Sequence, residues 1–100
     1  MLYYTQLIYI KPGQEEAFHA FESQVLPLLS RYNGRLLLRI RPNKACVIEA
    51  NDPVPYEIHI LTFGSKADLD AFAADPKRQK VLELKTRSID RAVLIEGRIL

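Results

Sequence analysis

The segment Tyr3 to Ile10 presents Tyr3, Thr5, Leu7 and Tyr9 on one alternating face and Tyr4, Gln6, Ile8 and Ile10 on the other, and neither set is clearly polar. A strand of that kind has to be covered on both sides. The chain has 100 residues, 48% of them hydrophobic, which is enough to bury one core and not two. A single domain over residues 1–100 is therefore expected, and it has few elements left over to cover the strand's second side. The segment ends at Lys11-Pro12-Gly13, a turn by composition.

From Gln14 to about Tyr32, Phe18, Phe21, Val25, Leu28, Leu29 and Tyr32 recur at steps of three and four, the period of an amphipathic helix. Pro27 should kink this helix without ending it, because the apolar stripe continues past it. Asn33-Gly34 supplies a left-handed stop. In Arg35-Leu36-Leu37-Leu38-Arg39-Ile40-Arg41, alternation puts Leu36, Leu38 and Ile40 on one face, while Arg35, Arg39 and Arg41 share the other with Leu37. Pro42-Asn43 bends this strand, Ala45 to Ala50 resumes it, and Asn51 to Pro55 is a turn. Tyr56 to Phe63 forms the next strand.

Ser65 and Asp68 resemble a capping box that opens a second helix, with Leu69, Phe72 and Ala73 inward. Asp75-Pro76 reads as an N-cap followed by proline at the first helical position, so the helix restarts there and runs through Val81, Leu82 and Leu84. Arg91 to Leu100 closes the chain as a strand. The order is βαββαβ. Right-handed crossovers then place both helices on one face of a four-stranded antiparallel sheet, an α+β, ferredoxin-like fold. The other face is bare and apolar, and the cheapest cover for it is a second copy related by two-fold symmetry.

Three stretches, Gly34-Arg35-Leu36-Leu37-Leu38, Tyr56 to Ser65, and Ala71-Phe72-Ala73-Ala74-Asp75-Pro76-Lys77-Arg78, together with the closing Leu94-Ile95-Glu96-Gly97, resemble small, functionally unassigned proteins of the dimeric α/β-barrel superfamily. That superfamily also contains cofactor-free antibiotic-biosynthesis monooxygenases and muconolactone isomerases. The resemblance implies a dimeric barrel; because its motifs are structural, activity does not follow from it.

Charge and composition exclude several classes. Fourteen basic and twelve acidic side chains leave a net charge of only +2, scattered along the chain, which is not the basic face of a nucleic-acid binder. Cys46 is the only cysteine, so an intramolecular disulfide and a cysteine-rich metal site are excluded and a reducing, cytoplasmic compartment fits. Neither a secretory signal nor a membrane-spanning stretch is recognisable. No glycine-rich phosphate loop, dinucleotide fingerprint or nucleophile elbow occurs, and no cofactor or metal is expected.

The chemistry-bearing candidates are polar residues set into apolar strands. His59 titrates near neutral pH and could act as a general base, with Glu57 two residues away to orient it; the alternative is a hydrogen-bonded core histidine. Arg39 and Arg41 are expected to point to the bare side or its rim and could grip a carboxylate; the alternative is that they are solvated edge charges or pair with Glu49. If Leu61 and Phe63 pack under the helices, so does His59, and Tyr56, Ile58, Ile60 and Thr62 line the barrel between two copies. Tyr56, with Tyr4 and Tyr9, could present a phenol to a ligand. His19 is expected to be exposed, and Cys46 to be a small hydrophobe on a strand. Two functions fit: a small enzyme of the monooxygenase or isomerase kind acting on an apolar or aromatic acid, or a non-catalytic homodimeric binding or interaction module.

Overall fold

The computed structural model describes residues 1–100. Its sheet contains β1 (Leu2–Ile10), β2 (Arg35–Ile40), β3 (Glu57–Phe63) and β4 (Ile89–Gly97) in the spatial order β2-β3-β1-β4. Each neighbouring pair is antiparallel, so β1, the strand apolar on both faces, lies inside the sheet beside β4. This is the ferredoxin-like arrangement expected from the βαββαβ order.

The helices lie on one face. The first stripe folds as α1 (Glu15–Val25) and continues as a 3-10 helix, Leu26–Tyr32, with Pro27 in its first turn. Pro27 thus marks a tightening of the helix, as a residue without an N–H should. Asn33, with φ 55°, is the left-handed stop. Gly34 serves another purpose: a Cβ there would fall 2.8 Å from Phe63 Cε1 and 2.9 Å from the Leu29 carbonyl oxygen, so only glycine lets the chain enter β2 this close to the core.

Both expected caps form. Ser65 Oγ accepts from the Asp68 N–H at the start of α2 (Lys66–Ala73). Asp75 accepts from the Lys77 and Arg78 N–H groups at 2.7 and 3.4 Å and opens α3 (Pro76–Lys80). The helix does not run unbroken through Leu84, however; it is interrupted at Val81 and resumes as α4 (Leu82–Ser88).

The core between the layers contains Tyr4, Ile8, Phe18, Phe21, Leu28, Leu29, Leu61 and Phe63. Register then assigns the faces, since directly opposed residues share one. Tyr4, Gln6 and Ile8 oppose Leu61, His59 and Glu57, so all six face the helices. The opposite face carries two apolar rows across all four strands: Leu38, Ile60, Thr5, Ile95 and Ile40, Ile58, Leu7, Val93. On the two edge strands Leu38 and Ile95 are 46% and 51% exposed, and on the central strands Leu7, Ile58 and Ile60 are only partly buried, so the whole face is apolar and open.

Two expectations about β2 are corrected. The pairing to β3 shifts between Leu36 and Leu38, so one extra residue breaks the alternation and reverses the strand's phase. Leu36 faces the helices with Leu61, Leu38 and Ile40 face the open side, and Arg39, opposite His59, is turned toward the helix side and away from the bare face. Nor does a strand resume at Ala45 to Ala50. Lys44–Cys46 is a 3-10 turn capped by Asn43, and irregular chain follows to Tyr56. Cys46 is accordingly exposed in a loop and does not pack as a strand residue.

Candidate functional site

A cluster of buried titratable residues forms where β3 passes beneath α1. Glu57 opens β3 and is completely buried, which a carboxylate tolerates only when its charge is matched. It accepts hydrogen bonds from Arg39 Nε at 2.9 Å and Arg41 Nε at 2.8 Å, and His59 Nε2 donates to the same oxygen that Arg39 engages. Burial works to raise the Glu57 pKa, but hydrogen bonds from Arg39, His59 and Arg41 outweigh it and hold the carboxyl below its ordinary value. The alternating β2 pattern suggested Glu49 as the partner of these arginines. Their partner is Glu57, and the phase reversal in β2 brings them to it.

His59 is 1% exposed. Its desolvation lowers the pKa more than the neighbouring Glu57 charge raises it, so the ring is held neutral near physiological pH. Because Nε2 faces the ionised Glu57, that nitrogen carries the proton.

Above the histidine, α1 contributes Glu22, which lies 3.8 Å from His59 Nε2 and is itself 5% exposed. Its Oε2 has no hydrogen-bond partner. Burial, followed by the Glu57 charge, pushes its pKa up to about 7. At neutral pH the chain Glu22, His59, Glu57 therefore holds one carboxyl poised between its two forms, one neutral imidazole and one fixed carboxylate. Such divergence among neighbouring titratable groups is the pattern of acid–base sites.

Glu22 and His59 line a cavity of about 340 Å³ between the sheet and the helices, within the range of about 300–1,000 Å³ typical of small-ligand sites. Its walls are mainly apolar, with Phe21, Leu61, Phe72 and Leu94 among them. Leu94 opposes Gln6 and so faces the helix side, yet it is 51% exposed, so the cavity opens toward β4.

The sequence-derived candidates divide between the cavity and its surroundings. His59 lines the cavity and Glu57 holds it from behind, while Arg39 and Arg41 are committed to Glu57. Tyr56 does not line the open face. It turns toward α1, with its ring edge-on to Phe18 at 5.7 Å and its hydroxyl hydrogen-bonded to His19 Nε2 at 2.6 Å. His19 is thus half-buried and paired, contrary to the exposed position expected. Tyr4 does reach the cavity, and its hydroxyl donates to Glu96. Tyr9 lies elsewhere, stacked beneath Arg91 at 4.1 Å.

Glu22 was legible as an anomaly: it stands four residues after Phe18 and three before Val25, inside the apolar stripe. Arg78 and Lys85, which also line the cavity, carry no such signal, because α3 and α4 are short and their inward positions depend on the break at Val81.

Glu22, Glu57 and His59 bring three ligand-type atoms within 4.8 Å of one another. A cation there would compete with two guanidinium groups for Glu57, whose oxygens they already occupy.

A four-stranded antiparallel sheet with helices on one face and a buried cluster of titratable side chains between the layers defines an α+β, ferredoxin-like protein with an interlayer cavity. No family model and no curated protein sequence matches the chain. Solved structures do. A protein of unknown function from Rhodopseudomonas palustris superposes with a TM-score of 0.82 at 17% identity, covering 99% of this chain and 82% of that one. An uncharacterised NIPSNAP domain protein from Burkholderia xenovorans gives 0.73 at 14% identity, covering 100% and 95%. A dimeric ferredoxin-like protein of unknown function from Jannaschia gives 0.70 at 18% identity, with 98% of each chain covered. These likenesses establish the fold. No helix is long and apolar enough to cross a membrane.

Proposed function

We propose that the protein is a homodimer that binds a small apolar or aromatic molecule in the cavity between sheet and helices, and that it catalyses proton transfer on that molecule in the manner of a cofactor-free isomerase. The observation that carries this reading is Glu22: a buried carboxyl on the cavity wall with a pKa near 7, whose Oε2 has no hydrogen-bond partner. A structural carboxyl would gain by finding a partner.

In the proposed step, Glu22 as carboxylate takes a proton from an activated carbon of the ligand and returns it to a different carbon, so no electrons are exchanged and no co-reactant is consumed. His59, its Nε2 proton committed to Glu57, is held in place to orient the ligand through its ring and the acceptor Nδ1. Arg39 and Arg41 act as positioning residues through Glu57, and Tyr56 supports the outer side of α1 through His19. A monooxygenase of the cofactor-free kind would begin with the same deprotonation and would require dioxygen as its second substrate.

The second copy covers the open face. Two apolar rows spanning four strands have no partner within the chain, and a similar fold is dimeric in the protein from Jannaschia. Sedimentation equilibrium should give twice the chain mass of 11.5 kDa, and a monomer at micromolar concentration contradicts the dimer.

The catalytic reading is tested by screening small acids and ketones for a rise in melting temperature, then following hydrogen–deuterium exchange at the acidic carbon of each bound compound. Exchange is expected with the parent protein and not with Glu22→Gln. Equal exchange with both removes Glu22 from the chemistry, and binding without exchange leaves a non-catalytic binding module.

A further inference from the structure

Two cations line the cavity and neither has an anionic partner. Arg78, on α3, lies with its guanidinium carbon 5.8 Å from the Phe21 ring centre and 5.7 Å from that of Phe72. Its Nη1 donates to the Ala73 carbonyl at 3.1 Å, while its Nε is buried with no hydrogen-bond partner. Lys85, on α4, borders the same cavity and enters no ion pair. Burial lowers the basicity of both, and for Lys85 the charge of Arg78 adds to the effect.

The acids nearby do not neutralise them. Asp70, at the cavity edge, is engaged by Lys66 at 2.8 Å. Glu22 and Arg78 favour each other's charged forms but form no hydrogen bond, and burial with the Glu57 charge keeps Glu22 about half protonated near pH 7, so it balances at most part of the positive charge. Two like charges drawn together around a partly dry cavity are unfavourable unless an anion visits. A guanidinium held between two aromatic rings is, in addition, already fixed in orientation, so little freedom remains to be lost when it binds.

We propose that Arg78 and Lys85 form a carboxylate clamp, so that the ligand of this cavity is a small organic acid whose apolar body lies against Phe21, Leu61, Phe72 and Leu94 and whose reactive end reaches Glu22 and His59. The inference rests on the reading of the cavity as a ligand site and adds the chemical class of the ligand. It also replaces Arg39 and Arg41, both occupied by Glu57, as the acid-recognising groups.

Calorimetric titration of the parent protein with 3-phenylpropanoate and with its neutral amide, 3-phenylpropanamide, separates the clamp from the cavity. The acid is expected to bind roughly tenfold to a hundredfold more tightly than the amide, the worth of a charge-assisted pair. That advantage should shrink when NaCl is raised to about 0.5 M, a comparison that needs no variant. Arg78→Met, which keeps the apolar stem, should bring the acid down to the affinity of the amide and leave the amide unchanged; Lys85→Met should act in the same direction. Equal binding of acid and amide by the parent overturns the clamp and leaves the cavity as a ligand site. If neither probe binds, the cavity reading falls and the clamp with it.

Discussion

Glu22 Oε2 lies 3.8 Å from His59 Nε2 across the gap between α1 and β3, with no hydrogen-bond partner of its own. The pair joins the two layers at the point where the sheet's polar cluster meets the cavity, and it makes the protonation state of Glu22 measurable through stability.

Glu22 is half-protonated near pH 7 in the folded chain, against an ordinary carboxyl value of 4.5 when unfolded. Between those values the folded state holds a proton that the unfolded state has released, so stability falls as pH rises through this window, and the penalty is complete above about 7. Glu22→Gln removes it. The variant should match the parent near pH 4 and exceed it by up to about 3 kcal/mol at pH 8. Urea denaturation of both proteins across this range checks the difference, and a constant offset at all pH values would show that Glu22 titrates normally.

Glu57 behaves oppositely. Its pKa is held low by Arg39, His59 and Arg41 against the effect of burial, so its contribution is present above the unfolded carboxyl pKa and is lost as pH falls through the folded one. Both arginines are partly exposed, at 35% and 47%, which weakens each pair. Arg39→Met and Arg41→Met should each cost about 1 kcal/mol at pH 7, and the double variant more than their sum, because Glu57 is then left buried with His59 alone. Strict additivity would mean that the two arginines do not share one carboxylate.

Much of this was legible in the sequence, and the failures have physical causes. The order of elements, both helix caps and the placement of His59 beside Glu57 follow from periodicity and capping chemistry, which are local. The orientation of Arg39 and Arg41 does not, since one added residue between Leu36 and Leu38 reverses every later side chain in β2 while leaving the alternation intact to the eye. Ala45 to Ala50 has the composition of a strand, but no neighbouring strand receives it; β2 and β3 pair directly. Arg78 and Lys85 come to one cavity only in three dimensions, from either side of the break at Val81.

Asp75 links the cap to the site. It accepts from the Tyr32 hydroxyl as well as from the Lys77 and Arg78 N–H groups, so it anchors the turn that presents Arg78 to the cavity. Asp75→Ala should lower the melting temperature by roughly 5 °C or more, and Asp75→Asn, which can still cap, by less. Thermal denaturation followed by circular dichroism measures both, and equal melting of Asp75→Ala and the parent would remove Asp75 from the support of α3.

The cavity between sheet and helices is tested most directly by methyl and carboxyl NMR on the full chain titrated with 3-phenylpropanoate. The expected result is a saturable shift of the Val25, Leu61, Leu69 and Leu94 methyls together with the Glu22 carboxyl carbon, all of which line the cavity, while Leu7, Leu38 and Val93 on the opposite sheet face stay in place. Shifts confined to Leu7, Leu38 and Val93, with the cavity methyls and Glu22 unmoved, would place binding on the open face and contradict an interlayer site.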